Sequence, residues 1–268
     1  MPSACLRHTE LPNTSKLFAD FVYHFDRVER FYAHNPWSPD SHAAAARAID
    51  YPDSRRAALV DALRELNGPS PALDLLARPG TVAVVTGQQV GLFSGPCYTV
   101  YKALTAVRIA ERFKEQGIAA VPVFWLATED HDFEEVNHAW NFDSGHDAFK
   151  QSVISPARNG QPVGDIRIES YPVAELRTVL GGFPFGADVI SLVEQAHQNG
   201  HTLGQSFLAL VKELLKDYGL LYIDPLQPSV RAIAAPLLEQ AFRDETRILG
   251  LILERNRELH HRSEPVVR

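Results

Sequence analysis

Apolar residues recur at helical spacing through the first quarter of the chain, and this pattern predicts helices there. Two stripes show the three- and four-residue spacing of an amphipathic helix: Phe18, Phe21, Val22, Phe25 and then Ala58, Leu59, Ala62, Leu63, Leu66. Pro36, Pro39 and Pro52 divide the region into separate helices, because proline lacks the backbone N–H that a helix interior requires. The pattern therefore predicts an N-terminal helical segment over residues 1–78, whose apolar stripes serve core packing rather than chemistry.

The pattern changes at residue 79, where two short apolar runs flank a glycine-rich loop and a helix. The predicted order is strand, loop, helix and strand, over Thr81–Thr86, Thr86–Pro96, Tyr98–Gln116 and Ala120–Ala127. The first strand is a short β-branched run and the second an apolar run, as expected of buried parallel strands, and Gly117 ends the helix. These elements make a βαβ unit, so residues 79–140 are predicted to form the first part of an α/β domain.

Residues 141–199 have a looser pattern, which we interpret as an insertion into the α/β domain. Apolar positions alternate with polar ones and predict short antiparallel strands around Val153, Ile154, Val163, Ile166 and Ile168. A turn at Gly181 and Gly182 then precedes a predicted helix near Ala187–His197.

The final segment, 200–268, is predicted to resume the α/β domain. Thr202 and Gln205 have the spacing of a capping box, in which two side chains satisfy free N–H groups at the start of a helix. Three elements follow: a helix that closes by Gly219, a strand over Leu220–Pro225 and a helix over Ser229–Leu259 interrupted at Pro236.

Composition and charge argue against several classes of protein. The 268 residues are 45% hydrophobic and 22% charged, as in ordinary soluble globular proteins. A formal net charge of -7 argues against nucleic-acid binding, and no apolar run reaches the roughly 20 residues that a membrane span needs. The start of the chain, Met1–His8, lacks the apolar stretch of a secretory signal, so a cytoplasmic location is expected.

The two cysteines, Cys5 and Cys97, lack metal-type spacing and are not expected to form a disulfide. Cys97 lies in the glycine-rich stretch, where it is either a thiol nucleophile or a small buried residue at a helix start. Both interpretations stay open on the sequence alone.

The glycine-rich loop lies where a parallel strand meets the N-terminus of a helix. Free backbone N–H groups and the helix dipole attract anions there, and glycine lets the backbone approach a ligand closely. The candidates for ligand contact are Thr86, Gly87, Gln88, Gln89, Gly91, Gly95, Tyr98 and Lys102. The spacing matches neither standard phosphate-loop motif, so a binding site and a turn that only packs remain alternatives.

An acidic run, Thr128–Glu135, directly follows the second predicted strand, where ligands of α/β sheets bind. Its crowded ionisable groups are expected to perturb one another's pKa values, which favours acid–base chemistry and a protonated His131. Two alternatives stay open. Thr128 could cap a helix whose first turn collects acids, or His131, Glu135 and His138 could share one helix face and ligate a metal.

Two long segments resemble the signature motifs of the BshC family of bacillithiol biosynthesis. They are Thr86–Ala103, which reads TGQQVGLFSGPCYTVYKA, and Pro122–His138, which reads PVFWLATEDHDFEEVNH. Pro162–Gly164 and Tyr218–Pro225 are similar to further family features in the same order. The resemblance covers most of the chain and implies a Rossmann-like parallel core, with 141–199 as a connective insertion.

The resemblance also implies a reaction: a ligase that adds cysteine to glucosaminyl malate through an amide bond. Its catalytic candidates are Asp130, His131 and Asp132. Glu129 joins the eight loop and helix residues named above as substrate-binding candidates. ATP is the chemically expected activator of the cysteine carboxylate, although no recognised ATP loop is present, and no metal is expected.

Family members are about twice as long, so we expect this chain to lack their C-terminal coiled coil and to be a fragment. The implied partners are glucosaminyl malate, cysteine and, for the family, a second copy in a homodimer; no nucleic acid and no membrane are expected. Two other hypotheses remain: a metal-dependent hydrolase using His131, Glu135 and His138, and a non-catalytic, ligand-binding remnant of the ligase.

Overall fold

The computed structural model describes residues 6–155 and 160–261. Cys5, considered above, lies outside these residues. The chain forms two compact units: Asp50–Ile233, and the described parts of Met1–Ile49 with Ala234–Arg268. The helices and strands, in chain order, begin with α1 Lys16–Tyr23, α2 Pro39–Ala48, α3 Asp53–Asn67, α4 Pro71–Leu76, β1 Val82–Gln89, α5 Tyr98–Glu115 and β2 Ala120–Ala127. They continue with α6 Phe133–Val136, β3 His138–Phe142, β4 Ala148–Ser152, α7 Val173–Leu180, α8 Gly186–Ala196, α9 Leu203–Leu214, β5 Leu221–Ile223, α10 Pro228–Arg243 and α11 Glu245–His261.

The larger unit is built on a parallel sheet in the order β1-β2-β5. The Rossmann-like α/β class predicted above is therefore confirmed, with β2 as the central strand. The strand β2 has the predicted bounds, but β1 is longer than predicted. Its pairing with β2 continues to Gln89 opposite Ala127, so Thr86–Gln89 belong to the strand rather than to the loop.

The central strand β2 is covered on both faces, and its side chains alternate between two apolar clusters. Val121 and Val123 pack with residues of α3 and α4. Phe124 and Leu126 pack with residues of α5 and α9 on the other face. Because both faces are buried, the strand reads as a continuous apolar run. The predicted boundary at 78–79 does not coincide with an edge of this unit, since α3 and α4 pack on its sheet.

The outer edge of β5 is covered by one side chain, Asn67 at the end of α3. Its Oδ1 accepts a hydrogen bond from the Tyr222 N–H at 2.7 Å, and its Nδ2 donates to the Tyr222 carbonyl at 2.8 Å. The amide thus takes the place of a neighbouring strand and satisfies two backbone groups that would otherwise lose their partners.

Replacing Asn67 by alanine is expected to lower the free energy of unfolding by about 1–3 kcal/mol, because it leaves both Tyr222 backbone groups without this partner. Urea unfolding followed by circular dichroism measures the change. Asn67→Asp keeps an acceptor for the N–H but loses the donor, so its cost should be intermediate. An alanine variant within about 0.5 kcal/mol of the original would refute this role for the amide.

Residues 141–199, interpreted above as an insertion, differ from their prediction in the placement of strands. The antiparallel hairpin is β3–β4, whereas Val153 and Ile154 follow it and Val163 lies in a 3-10 turn. The hairpin turn is stabilised by Asp143, whose Oδ1 accepts from the N–H groups of Gly145 and Asp147, and this local signal was missed. The predicted helix near Ala187–His197 is confirmed as α8, and α7 was not predicted.

The predicted capping box of α9 is confirmed. The Thr202 hydroxyl accepts from Gln205 N at 3.2 Å, and Gln205 Oε1 accepts from Thr202 N at 2.9 Å. The predicted interruption at Pro236 is wrong, since α10 continues through it and the break lies at Asp244. Asp244 directly precedes α11, where its carbonyl accepts from Ile248 N and its carboxylate pairs with Arg247. Within the described chain, no helix is both long and apolar enough to cross a bilayer.

Candidate functional site

The two predicted segments meet at the carboxyl ends of β1 and β2, and one side chain joins them. Gln89, the last residue of β1, donates from Nε2 to Asp130 Oδ2 at 2.8 Å and to Glu135 Oε2 at 2.7 Å. A single amide nitrogen therefore holds two carboxylates together, which concentrates negative charge beside the glycine loop.

A cavity of about 370 Å³ lies at this junction. It is lined by Gln88, Gln89, Gly91, Gly95, Pro96, Cys97, Tyr98, Glu135, Val136, His138, Ala139 and Trp140. Five of the predicted substrate-binding residues thus share one cavity. The predicted catalytic pair His131 and Asp132 instead lines a second cavity of about 650 Å³.

The glycine loop folds back on itself beside the first cavity. A Cβ atom added to Gly91 would lie 3.0 Å from Gly95 Cα, so the close approach of these two residues requires glycine. Gly95 has a φ of 68°, in the left-handed region. Gly91 and Gly95 are therefore explained by the turn itself, and the turn brings Pro96 and Cys97 to the cavity wall.

Lys102 and Tyr98 lie one turn apart on α5, as predicted. The Lys102 Nζ donates to Gln88 Oε1 at 2.9 Å and lies 5.0 Å from the centre of the Tyr98 ring. Lys102 itself does not line the cavity. Its contact is with Gln88, a buried cavity residue, so its positive charge orients that amide.

Asp130 is the most constrained group of the acidic run. Besides the bond from Gln89, its Oδ1 accepts from the N–H groups of His131 at 2.6 Å and Asp132 at 3.1 Å. The hydrogen bond from Gln89 is the main reason that the pKa of Asp130 is lowered, and partial burial opposes it. Asp130 is therefore a fixed anion rather than an efficient proton acceptor at neutral pH.

The other predicted catalytic residues have different surroundings. The His131 side chain is 75% exposed, with Nδ1 3.9 Å from Asp130 Oδ1. Asp132 caps α6, because its Oδ1 accepts from Glu135 N at 3.2 Å. The capping role suggested for Thr128 is wrong, since Thr128 Oγ1 instead donates to Asp224 Oδ1 at 2.5 Å, at the end of β5.

The metal hypothesis required one helix face for three ligands, and the structure lacks that helix. Only Phe133–Val136 is helical, so His131 precedes it and His138 begins β3. The described residues hold no group of three or more His, Cys, Asp or Glu side chains arranged to bind a metal ion.

Four predicted substrate-binding residues do not line the 370 Å³ cavity. These are Thr86, Gly87, Lys102 and Glu129. Gly87 is explained by packing, because an added Cβ would lie 2.9 Å from the Trp125 carbonyl oxygen. Glu129 accepts from Trp125 Nε1 at 3.1 Å.

The residue that the sequence analysis missed is Trp140, which lines the cavity from β3. Its strand reads HAWNF over His138–Phe142, without the strict alternation of apolar and polar side chains that marks a half-buried strand. No local pattern therefore marks this strand, which forms by pairing with β4.

Gly164 fixes the start of the acidic run through close packing. A Cβ added to Gly164 would lie 2.4 Å from Thr128 Cβ, and Gly164 N donates to the Thr128 carbonyl at 2.9 Å. Gly164→Ala is therefore expected to lower the free energy of unfolding by about 2 kcal/mol, measured by urea unfolding. Gly182→Ala is the matched control, since its Cβ would meet only Ser144 at 3.7 Å. Equal stability of the two variants would contradict this packing role.

Comparison with known proteins places these motifs in a family. Residues 1–266 match the profile described as "Bacillithiol biosynthesis BshC, N-terminal Rossmann-like domain". The chain belongs to the BshC family.

BshC relatives cover nearly the whole chain. It is 50% identical over 259 residues to a protein of Solibacter usitatus, covering 97% of this chain and 49% of that protein. It is 33% identical over 268 residues to a protein of Koribacter versatilis, covering 96% and 49% respectively. A Salinibacter ruber protein is 33% identical over 241 residues, covering 85% and 44%. All three are named "Putative cysteine ligase BshC", and the chain spans about half the length of these curated relatives.

Proposed function

We propose that this BshC chain provides the substrate-binding site of a ligase that joins cysteine to glucosaminyl malate through an amide bond. The names of its relatives support a cysteine ligase of bacillithiol biosynthesis. The observation that carries the proposal is the Gln89 bridge, which ties Asp130 to Glu135, and Glu135 lines the cavity beside the glycine loop.

The paired carboxylates suit an amine substrate. An ammonium group carries a positive charge and three N–H donors, so it is attracted to two fixed carboxylates. Asp130 stays ionised and holds the amine, while Glu135, which lines the cavity, accepts the proton that the amine must lose before it reacts. Once a carboxyl oxygen of cysteine carries a phosphoryl group from ATP, the nitrogen attacks the carboxyl carbon. A C–N bond forms, and the C–O bond breaks as that oxygen leaves with the phosphoryl group.

The glycine loop and the start of α5 suit the activation of that carboxyl group. Cys97 and Tyr98, at the N-terminus of α5, line the cavity, and the helix dipole favours an anionic group there. This end of the helix suits the phosphates of ATP, which supplies the activation that a free carboxylate needs to react with an amine. In this proposal, Gln88 and Gln89 hold the polar parts of the substrates, and no protein-bound metal is invoked.

Mass spectrometry of a reaction with glucosaminyl malate, cysteine and ATP tests the proposal. Because the chain spans about half of its relatives, the assay is run on the chain and on a chimera in which it replaces the matched half of the Solibacter usitatus protein. The expected result is the condensation product of the two substrates from the chimera. Calorimetry on the chain alone should detect binding of glucosaminyl malate. A chimera that gives no product, together with a chain that binds neither substrate, would contradict the proposal.

A further inference from the structure

The glycine loop contains two residues with a backbone conformation that their side chains disfavour. Phe93 has a φ of 52° and Ser94 a φ of 73°, both in the left-handed region. For residues other than glycine this region costs about 1–2 kcal/mol each, and a bulky side chain such as phenylalanine rarely adopts it. The conformation therefore persists only if neighbouring groups hold it in place.

The insertion supplies those neighbouring groups. The Phe93 ring meets the His197 ring edge-on, with 5.1 Å between centroids, and His197 meets Tyr171 in the same way at 5.0 Å. Both His197 and Tyr171 are buried. Such edge-to-face contacts contribute about 0.5–1.5 kcal/mol each beyond the burial of the rings.

Phe93 also joins two apolar clusters. It packs against the main cluster of the sheet and, in addition, against a cluster formed by Leu176, Val193, Ala196 and Leu210. The latter residues come from α7, α8 and α9, roughly a hundred positions along the chain from the loop. Contacts with residues 141–199 and with Leu210 of α9 therefore offset the backbone strain at Phe93.

We propose that Phe93 is a positioning residue through which the insertion shapes the glycine loop. Its ring, held between His197 and the α7–α9 cluster, fixes the left-handed turn that brings Gly95, Cys97 and Tyr98 to the wall of the 370 Å³ cavity. The identity of the bound substrates rests on the function proposed above, whereas the link between insertion and loop does not.

Hydrogen exchange followed by mass spectrometry tests the link without any substrate. Phe93→Ala and His197→Ala remove the contact from opposite sides, so both should speed amide exchange in residues 91–98 by about 10-fold or more. Exchange in α3 and β5 should stay within about twofold. Phe185→Ala is the matched control, since this phenylalanine of the insertion is 73% exposed, and it should leave residues 91–98 unchanged.

Measurements of KM and kcat on the chimera distinguish a positioning role for Phe93 from a purely structural one. Phe93→Ala should raise the KM for the substrates about 10-fold with kcat changed less than threefold, and Phe93→Leu, which keeps most of the apolar volume, should restore most of the loss. If Phe93→Ala does not fold, His197→Ala decides the matter through exchange in residues 91–98. Unchanged exchange there in folded His197→Ala would overturn the proposal. Faster exchange in a chimera without ligase activity would refute the proposed function alone.

Discussion

Lowering the pH from 7 to 4 is expected to cost the unit Asp50–Ile233 about 3 kcal/mol of unfolding free energy through one buried histidine, His197. Burial lowers the pKa of His197 from 6.5 to about 4, with a hydrogen bond to the Val193 carbonyl opposing the shift and the charge of His201 adding to it. The unfolded chain takes up a proton on this residue near pH 6.5, whereas the folded protein does so only near pH 4. Between these values the unfolded state binds more protons, so stability falls as the pH falls.

Urea unfolding of the original protein and of His197→Gln at pH 7 and pH 4 isolates this contribution. Glutamine does not titrate, so the variant should lose about 3 kcal/mol less than the original protein over the same interval. The carboxylates contribute to both profiles and cancel in the difference. If both proteins lost the same unfolding free energy between pH 7 and pH 4, His197 would not titrate with a lowered pKa in the folded protein.

How much of the fold could be predicted depended on whether each signal was local. The capping box of α9 lies within four residues, Thr202–Gln205, and was predicted correctly. The apolar run of β2 was predicted with its bounds because both faces of the strand are buried. The extension of β1 to Gln89 could not be predicted, since polar Gln88 and Gln89 join the strand only through their pairing with β2.

For the candidate site, too, local signals could be predicted from the sequence and long-range contacts could not. The sequence placed the glycine loop and the acidic run each after a predicted parallel strand, and the carboxyl ends of adjacent parallel strands share one edge of the sheet. It could not assign roles within the run. Asp130, His131 and Asp132 are neighbours in sequence, yet Asp130 contacts Gln89, His131 extends into solvent and Asp132 caps α6. Those differences follow from contacts with residues far away in sequence.

The contacts that hold the acidic run in place also join residues that are far apart in the sequence. Thr128 is fixed by Asp224, 96 positions later, and by Gly164 in the insertion. Neither Asp224 nor Gly164 lies in a sequence motif that would predict its contact with Thr128. Residues 141–199 thus contact the site at two places, Gly164 against Thr128 and His197 against Phe93, so they are part of the site's support.

Asp130→Asn is expected to lower kcat/KM of the chimera by about 10²–10³-fold. The carboxylate is the fixed anion that receives Gln89 and, in the proposed function, holds the substrate amine. Asparagine keeps the size and a hydrogen-bonding oxygen but removes the negative charge, so the loss should be in turnover more than in stability. Steady-state rates from the mass-spectrometric assay measure it, with urea unfolding as the check on folding.

Two neighbours of Asp130 make this prediction specific. Asp132→Asn should change kcat/KM less than threefold, because asparagine caps a helix about as well as aspartate does and α6 would keep its cap. His131→Ala should cost less than about 10-fold, since the His131 side chain is 75% exposed and lines the other cavity. Equal losses for the two aspartate variants would mean that the run acts through its overall charge. If His131→Ala lowered kcat/KM more than Asp130→Asn does, His131 would be the more important residue for the reaction. The hydrogen bond from Gln89 to Asp130 would then not be essential for turnover.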